Sequence, residues 1–159
     1  MICGLPGSGK TTLANELAQT RGAVKLCADE WIYDLLDSQE NITERDRLRL
    51  PVETLLHKLA LELCTKGMSV ILDNGFWVKG EREMYRKSVT DLGINVEIHY
   101  MDANYDLLWR RIQNRNENLP TGTFKNYKHE LDEWVKVFEA PKVEELSMYD
   151  KYTVHIQNN

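Results

Sequence analysis

Cysteine is scarce in this sequence: Cys3, Cys27 and Cys64 are the only three in 159 residues. An odd number at wide spacing supports neither a disulfide framework nor a cysteine zinc site. Cys3 and Cys27 lie in short apolar runs and Cys64 in a helical pattern. All three are expected to be small core residues of a reduced, cytoplasmic protein. A surplus of positive charge is also missing, since 20 Lys and Arg stand against 25 Asp and Glu, a net charge of −5. No overall basic field for gripping nucleic acid exists, although a local patch is compatible with that balance. No apolar run approaches the roughly 18 residues of a membrane span, and the N-terminus lacks the basic start and apolar stretch of a secretory signal. His57, His99, His129 and His155 are scattered without H-x-x-x-H spacing and are expected to be structural or exposed. What remains is 42% apolar and 28% charged, the balance of a soluble folded chain. One domain over residues 1–159 is expected, large enough for a core without staples.

The patterning alternates between strand and helix. Met1-Ile2-Cys3 is apolar and meets a glycine-rich turn at Gly4. This strand is shorter than the usual length of about five or six residues, so it is either truncated or begins upstream. Lys10 to about Thr20 reads as a helix with Leu13, Ala14, Leu17 and Ala18 on one face. Ala23–Cys27 is a second strand. Asp29 then caps a helix carrying Trp31, Ile32, Leu35 and Leu36. Residues 38–46 are polar and read as a loop, and Pro51 fits the first turn of the next helix, whose stripe is Val52, Leu55, Leu56, Leu59 and Leu63. Val70-Ile71-Leu72 is a continuous apolar run ending in Asp73, the pattern of a central parallel strand. Helices follow at about 79–91, 105–116 and around Leu131–Phe138, with strands at Val96–Tyr100 and Tyr152–Ile156 and a proline-glycine break at Leu119–Thr123. This order implies an α/β layered sandwich with a mainly parallel sheet.

The informative segment is Gly4-Leu5-Pro6-Gly7-Ser8-Gly9-Lys10-Thr11-Thr12, which fits G-x-x-x-x-G-K-[ST] throughout. Composition alone would produce such a match in a chain this long with a chance on the order of half a percent. Its glycines let the backbone wrap closely and turn successive N–H groups inward as an anion nest. The following helix aims its positive end at the same point. Lys10 is placed to reach the β- and γ-phosphates of a nucleotide, and the Thr11 hydroxyl to ligate Mg²⁺. Asp73, at the end of a buried strand, is the candidate holder of a metal-bound water; its plainer role is to cap the turn.

With Asp29-Glu30-Trp31 after the second strand, Leu72-Asp73-Asn74, and Trp109-Arg110-Arg111 followed by Arg115-Asn116, the sequence resembles the small P-loop kinases. It is most similar to the polynucleotide-kinase, zeta-toxin and chloramphenicol-phosphotransferase-like group, and within it to the bacterial AAA-domain ATP-binding proteins. The resemblance covers nearly the whole chain. It implies a P-loop NTPase three-layer sandwich with a five-stranded sheet in the order 2-3-1-4-5 and a short helical lid at about 109–125. It also implies that Asp29 faces the acceptor hydroxyl and takes its proton. Arg111 and Arg115, four apart on one helix face, would be lid arginines that neutralise the transferring phosphoryl group. Arg110 is placed to pair with Asp106.

Some features depart from the pattern or stay open. Asp29 and Glu30 are adjacent rather than spaced D-x-D, so the metal shell is expected to be Thr11 and water with Asp73 behind. No N-K-x-D segment reads guanine, so ATP is expected. Asn74-Gly75-Phe76-Trp77 either lines the acceptor pocket or packs on the core. Arg45, Arg47 and Arg49, interleaved with Glu44 and Asp46, read as a solvated face able to touch an anionic acceptor. Arg82 and Arg86 read as a surface pair, with Arg82 a candidate acceptor contact. Glu139-Ala140-Pro141 resembles the loop that borders adenine in the family. Trp31, Trp109 and Trp134 are expected in the core.

These marks imply an ATP- and Mg²⁺-dependent phosphotransferase acting on a hydroxyl of a small molecule, with Lys10, Asp29, Arg111 and Arg115 catalytic and Asp29, Asn74 and Arg82 on the acceptor side. An alternative acceptor is a nucleic-acid 5′ end contacted by Arg110, Arg111, Arg115, Lys125 and Lys128. A third reading is an ATP-binding switch with slow hydrolysis.

Overall fold

In a computed structural model that describes residues 1–157, twelve elements follow one another: β1 (Ile2–Cys3), α1 (Lys10–Arg21), β2 (Val24–Leu26), α2 (Ala28–Leu35), α3 (Ile42–Thr65), β3 (Val70–Leu72), α4 (Lys79–Thr90), β4 (Glu97–Ala103), α5 (Tyr105–Glu117), α6 (Lys128–Val137), α7 (Val143–Leu146) and β5 (Lys151–Gln157). Every strand pair is parallel, which follows from a helix between successive strands.

The pairing falls into two ladders, β2–β3 and β1–β4–β5. In the first, Val24, Lys25 and Leu26 face Val70, Ile71 and Leu72. In the second, β4 pairs with β5 in unbroken register from Glu97–Lys151 to Ala103–Gln157. A single parallel bridge between Cys3 and Gly75 joins them, where the Gly4 N–H donates to the Gly75 carbonyl at 2.9 Å. The expected five-stranded ladder is thus interrupted. β1 is two residues long and meets the β3 chain only past Leu72.

Alternation along the strands places the layers. Ile2 and Ile71 pack with Ala14 and Met101 under α1. Their neighbours Cys3 and Leu72 face the other way, into the cluster built by Ile32, Val52, Leu56, Phe76 and Ile98. Buried residues on both faces mean helices on both faces, a three-layer α/β sandwich. A third cluster, Leu5, Leu108, Ile112 and Leu131, locks α5 and α6 to the turn after β1. Among the described residues, no helix is long and apolar enough to cross a membrane.

The structure corrects several local readings. Residues 42–46 are helical, not loop, because the Asn41 side chain caps α3 by accepting from the Glu44 N–H. Pro51 therefore sits inside a 24-residue helix. Its cost there of about 3 kcal/mol is offset by the buried stripe Val52, Leu56 and Ala60. Asp29 does not cap α2; Cys27 holds the N-cap position and Asp29 lies in the first turn. Trp31 is 43% exposed rather than core, whereas Trp109 and Trp134 do pack against the third cluster. The four-residue α7 has no counterpart in the sequence reading.

Candidate functional site

The turn between β1 and α1 has the shape that its glycines permit. Gly7 and Gly9 take φ of 83° and 91°, a region costly for residues with a Cβ. A Cβ on Gly7 would lie 2.8 Å from the Leu108 carbonyl oxygen. Gly9 takes the N-cap position of α1 without a side-chain cap, so no side chain of its own satisfies the helix's first N–H groups. These are free donors for an anion, aligned with the helix dipole. Lys10 folds over the turn and donates to the Leu5 carbonyl at 2.9 Å.

Thr11 and Asp73 come together across 62 residues of sequence, the Thr11 hydroxyl donating to Asp73 Oδ2 at 2.7 Å. Asp73 is buried at the C-terminal end of β3. Burial pushes its carboxyl above the ordinary aspartate value, against the downward pull of Lys10 and the Thr11 hydroxyl. Burial likewise lowers the Lys10 pKa, opposed by Asp73 and Asp29. Two hard oxygen donors beside a cation-stabilised anion nest fit Mg²⁺, which binds through few protein oxygens plus water and substrate phosphates. Among the described residues there is no cluster of three or more His, Cys, Asp or Glu suited to a metal.

Asp29 and Arg115 reach the same region from different elements. Arg115 feels Asp29 and is felt by Lys10, while burial lowers its pKa. Its Nε is buried without a hydrogen bond. The Asn126 amide, in the orientation that satisfies both its ends, accepts from Arg115 Nη2 at 2.9 Å. Asn126 is fixed in turn by Asn116, which donates to its carbonyl at 2.7 Å. Phe124 beside it is buried against Tyr33 and under Arg45. The segment after α5 is therefore fastened to α2 and α3. Arg111 points elsewhere, donating to Gln157 Oε1 at the end of β5 at 3.2 Å.

Arg49 differs most from its sequence reading. It is half-exposed but paired: Nη2 donates to Asp29 Oδ1 at 2.6 Å and Nη1 reaches Glu53 Oε1 at 3.5 Å. Arg45 is buried, paired with Glu130 at 3.0 Å; Arg47 is the most exposed of the three, on Glu44. One signal was available, because Arg45, Arg49, Val52 and Leu56 continue a single inward stripe at helical spacing. Glu53, which sequence reasoning missed, lies on this wall, and burial pushes its carboxyl up to about 7 despite Arg49.

Arg82 is not at the surface and does not face an acceptor. Its side chain is fully buried and spent on Glu145, at 2.5 and 2.9 Å, and on the carbonyls of Phe76 and Trp77. The loop it holds packs on the core: Phe76 is buried, and Trp77 packs at a tilt against Trp134 and donates to the Gly4 carbonyl at 3.3 Å. Asn74 is the exception in this loop. Both of its amide atoms are closed to solvent without a hydrogen bond, and the Tyr85 hydroxyl lies beside it. Glu139 binds the Lys79 N–H and the Trp77 carbonyl, so the break before α7 supports the same loop. Arg86 lies over the Tyr149 ring. Of the further basic residues considered for nucleic acid, Lys128 pairs with Asp132 and Lys125 lies over Tyr127. His57 stacks on Tyr85, and His99 meets His155 at 3.0 Å.

A parallel α/β sandwich with a glycine-rich turn feeding a helix, a lysine and threonine at its start and an aspartate at the end of the adjacent strand defines a P-loop nucleotide-binding protein of the small kinase-like class. The chain belongs to the AAA-domain family, whose model matches residues 1–141. It is 27% identical to a "probable gluconokinase" of Dictyostelium discoideum, in an alignment covering all of this chain and 78% of that protein. Its fold is that of a solved protein from Chloroflexus aurantiacus, with a TM-score of 0.74, 19% identity and coverage of 98% and 82% of the two chains. A gluconokinase structure from Sinorhizobium meliloti 1021 shares the fold with a TM-score of 0.62, 18% identity and coverage of 96% and 78%.

Proposed function

We propose that the protein is an ATP- and Mg²⁺-dependent kinase that transfers the γ-phosphoryl group to a hydroxyl of a small-molecule acceptor. The observation that carries this reading is the convergence of Asp29, Lys10 and Arg115 beside the Thr11–Asp73 pair. A pure nucleotide switch needs the cradle but not a carboxylate opposite it. Two relatives bearing the name gluconokinase support a small hydroxylated acceptor.

In this reading the main-chain N–H groups of Gly7 to Thr11 and the start of α1 hold the phosphates, and Lys10 leaves the Leu5 carbonyl for them. Thr11 and Asp73 would hold Mg²⁺, which when bound neutralises phosphate charge. Asp29 orients the acceptor hydroxyl and takes its proton. The acceptor oxygen forms a bond to phosphorus, the bond from phosphorus to the bridging oxygen of ADP breaks, and ADP leaves with that electron pair. Arg115 stabilises the charge spread over the transferring group. Arg111, bound to Gln157, acts as a lid arginine only if it leaves that partner.

The test is ATP turnover against a panel of sugars, polyols and amino alcohols, for wild type, D29N and K10A. D29N is expected to lose about 10²–10⁴-fold in kcat while still binding nucleotide, and K10A to lose nucleotide affinity as well. Equal rates for wild type and D29N would remove Asp29 from the chemistry.

A further inference from the structure

Glu53, on the acceptor-side wall, has one cation near it, and that cation is spent mainly on another carboxylate. Arg49 spends its short contact, 2.6 Å, on Asp29 and leaves Glu53 a long one of 3.5 Å. The Glu53 carboxyl is 15% exposed. The charged and titratable groups that face it are Arg49 on its own helix, Asp29 from α2, and Glu81 and Tyr85 from α4. Of these only Arg49 is positive. The Tyr85 hydroxyl donates to the Glu53 main-chain carbonyl at 3.4 Å, not to its carboxylate. Glu81 draws on the N–H groups of Trp77 and Val78 and brings no cation. A buried carboxyl paired this poorly either keeps a proton or takes a cation from outside.

A second observation points to a ligand at the same wall. Both amide atoms of Asn74, at the end of β3 beside Tyr85, are shut from solvent without a hydrogen bond. A buried side-chain amide without partners costs free energy until something supplies them. A molecule with several hydroxyls offers both donors and acceptors to Asn74. Arg49, held by two carboxylates, is not available to a carboxylate-bearing acceptor unless those contacts break.

Resting on the kinase reading above, we infer that the acceptor is a polyhydroxylated compound carrying an ammonium group, with Glu53 receiving the ammonium, Asn74 a hydroxyl, and Arg49 holding Asp29 rather than the substrate. Glu53 is then the residue that determines specificity. Its proton, still largely held at pH 6.5 without the ligand, is released when the ammonium binds.

Three open-chain six-carbon probes differ only at one end: glucamine with an ammonium, sorbitol with a hydroxyl and gluconate with a carboxylate. Phosphorylation is measured as kcat/KM, and binding to the ADP-loaded protein by calorimetry at pH 6.5 in two buffers of different ionisation enthalpy. Glucamine is expected to exceed sorbitol by about tenfold and gluconate by more, with proton release on binding. In E53Q the preference for glucamine over sorbitol falls toward one and proton release disappears, while nucleotide binding persists. Preference for gluconate, absence of glucamine binding, or an E53Q protein with an unchanged preference ratio would overturn the inference and leave the kinase reading standing. Glucamine binding without phosphorylation of any hydroxyl compound would sink the kinase reading and keep the ammonium site.

Discussion

Replacing Arg82 with methionine removes a guanidinium that ties α4, α7 and the loop after β3 together. The side chain is 0% exposed, and its Glu145 partner is 10% exposed. Two charge-assisted bonds to Glu145 and two to the carbonyls of Phe76 and Trp77 are lost at once. Methionine fills much of the volume, so the main penalty is an uncompensated buried carboxylate. Breaking one side of such a pair costs about 3–5 kcal/mol. At this chain length each kcal/mol moves the melting temperature by about 2–4 °C, so R82M should melt about 10 °C lower by calorimetry. The double variant R82M/E145Q removes the orphaned charge and should recover a large part of that loss. Trp77 meets the phosphate turn at Gly4, so R82M should also weaken nucleotide binding in the folded protein. A melting temperature for R82M within about 2 °C of wild type, or a double variant no better than the single, would refute the reasoning.

Two buried groups push the pH dependence of stability in opposite directions. Glu53 ionises near 7 in the fold against 4.5 unfolded. The unfolded chain therefore gives up the proton first as pH rises, and stability is lost from pH 4.5 to 7, by about 3 kcal/mol at most. His99, which burial drives down to about 4 from 6.5, stays neutral in the fold. The unfolded chain takes up the proton first as pH falls, and stability is lost from pH 6.5 to 4 by a similar amount. Urea midpoints of E53Q should therefore rise from pH 4.5 to 7 relative to wild type and be higher above pH 7, whereas those of H99Q should fall relative to wild type across that span. An E53Q protein no more stable than wild type at pH 8 would contradict the assignment for Glu53, and an H99Q curve parallel to wild type that for His99.

The phosphate cradle was legible because it is local. Its glycines, Lys10 and Thr11 lie within nine consecutive residues, and backbone sterics with a helix start nearly dictate the shape. The strand ending in Asp73 was legible for the same reason, since a continuous apolar run marks a strand buried on both faces. Arg49, Arg82 and Glu53 were not. A charged residue on a helix reads as solvated until its partner is known, and Arg82 finds Glu145 63 residues away. Asp29 stood out in the sequence as a candidate, but the cap position read for it belongs to Cys27, and its partner Arg49 was not legible, because Arg49 reads as part of a solvated face ahead of a helix that starts at Pro51.

The sequence by itself determined that this chain alternates strand and helix and carries a loop shaped for a polyphosphate, since both depend on contacts within a few residues. Only the tertiary structure decided which charges are spent holding the fold and which remain beside the cradle. Burial against other helices sets the state of a carboxyl such as Glu53, and that is not a property of its neighbours in sequence.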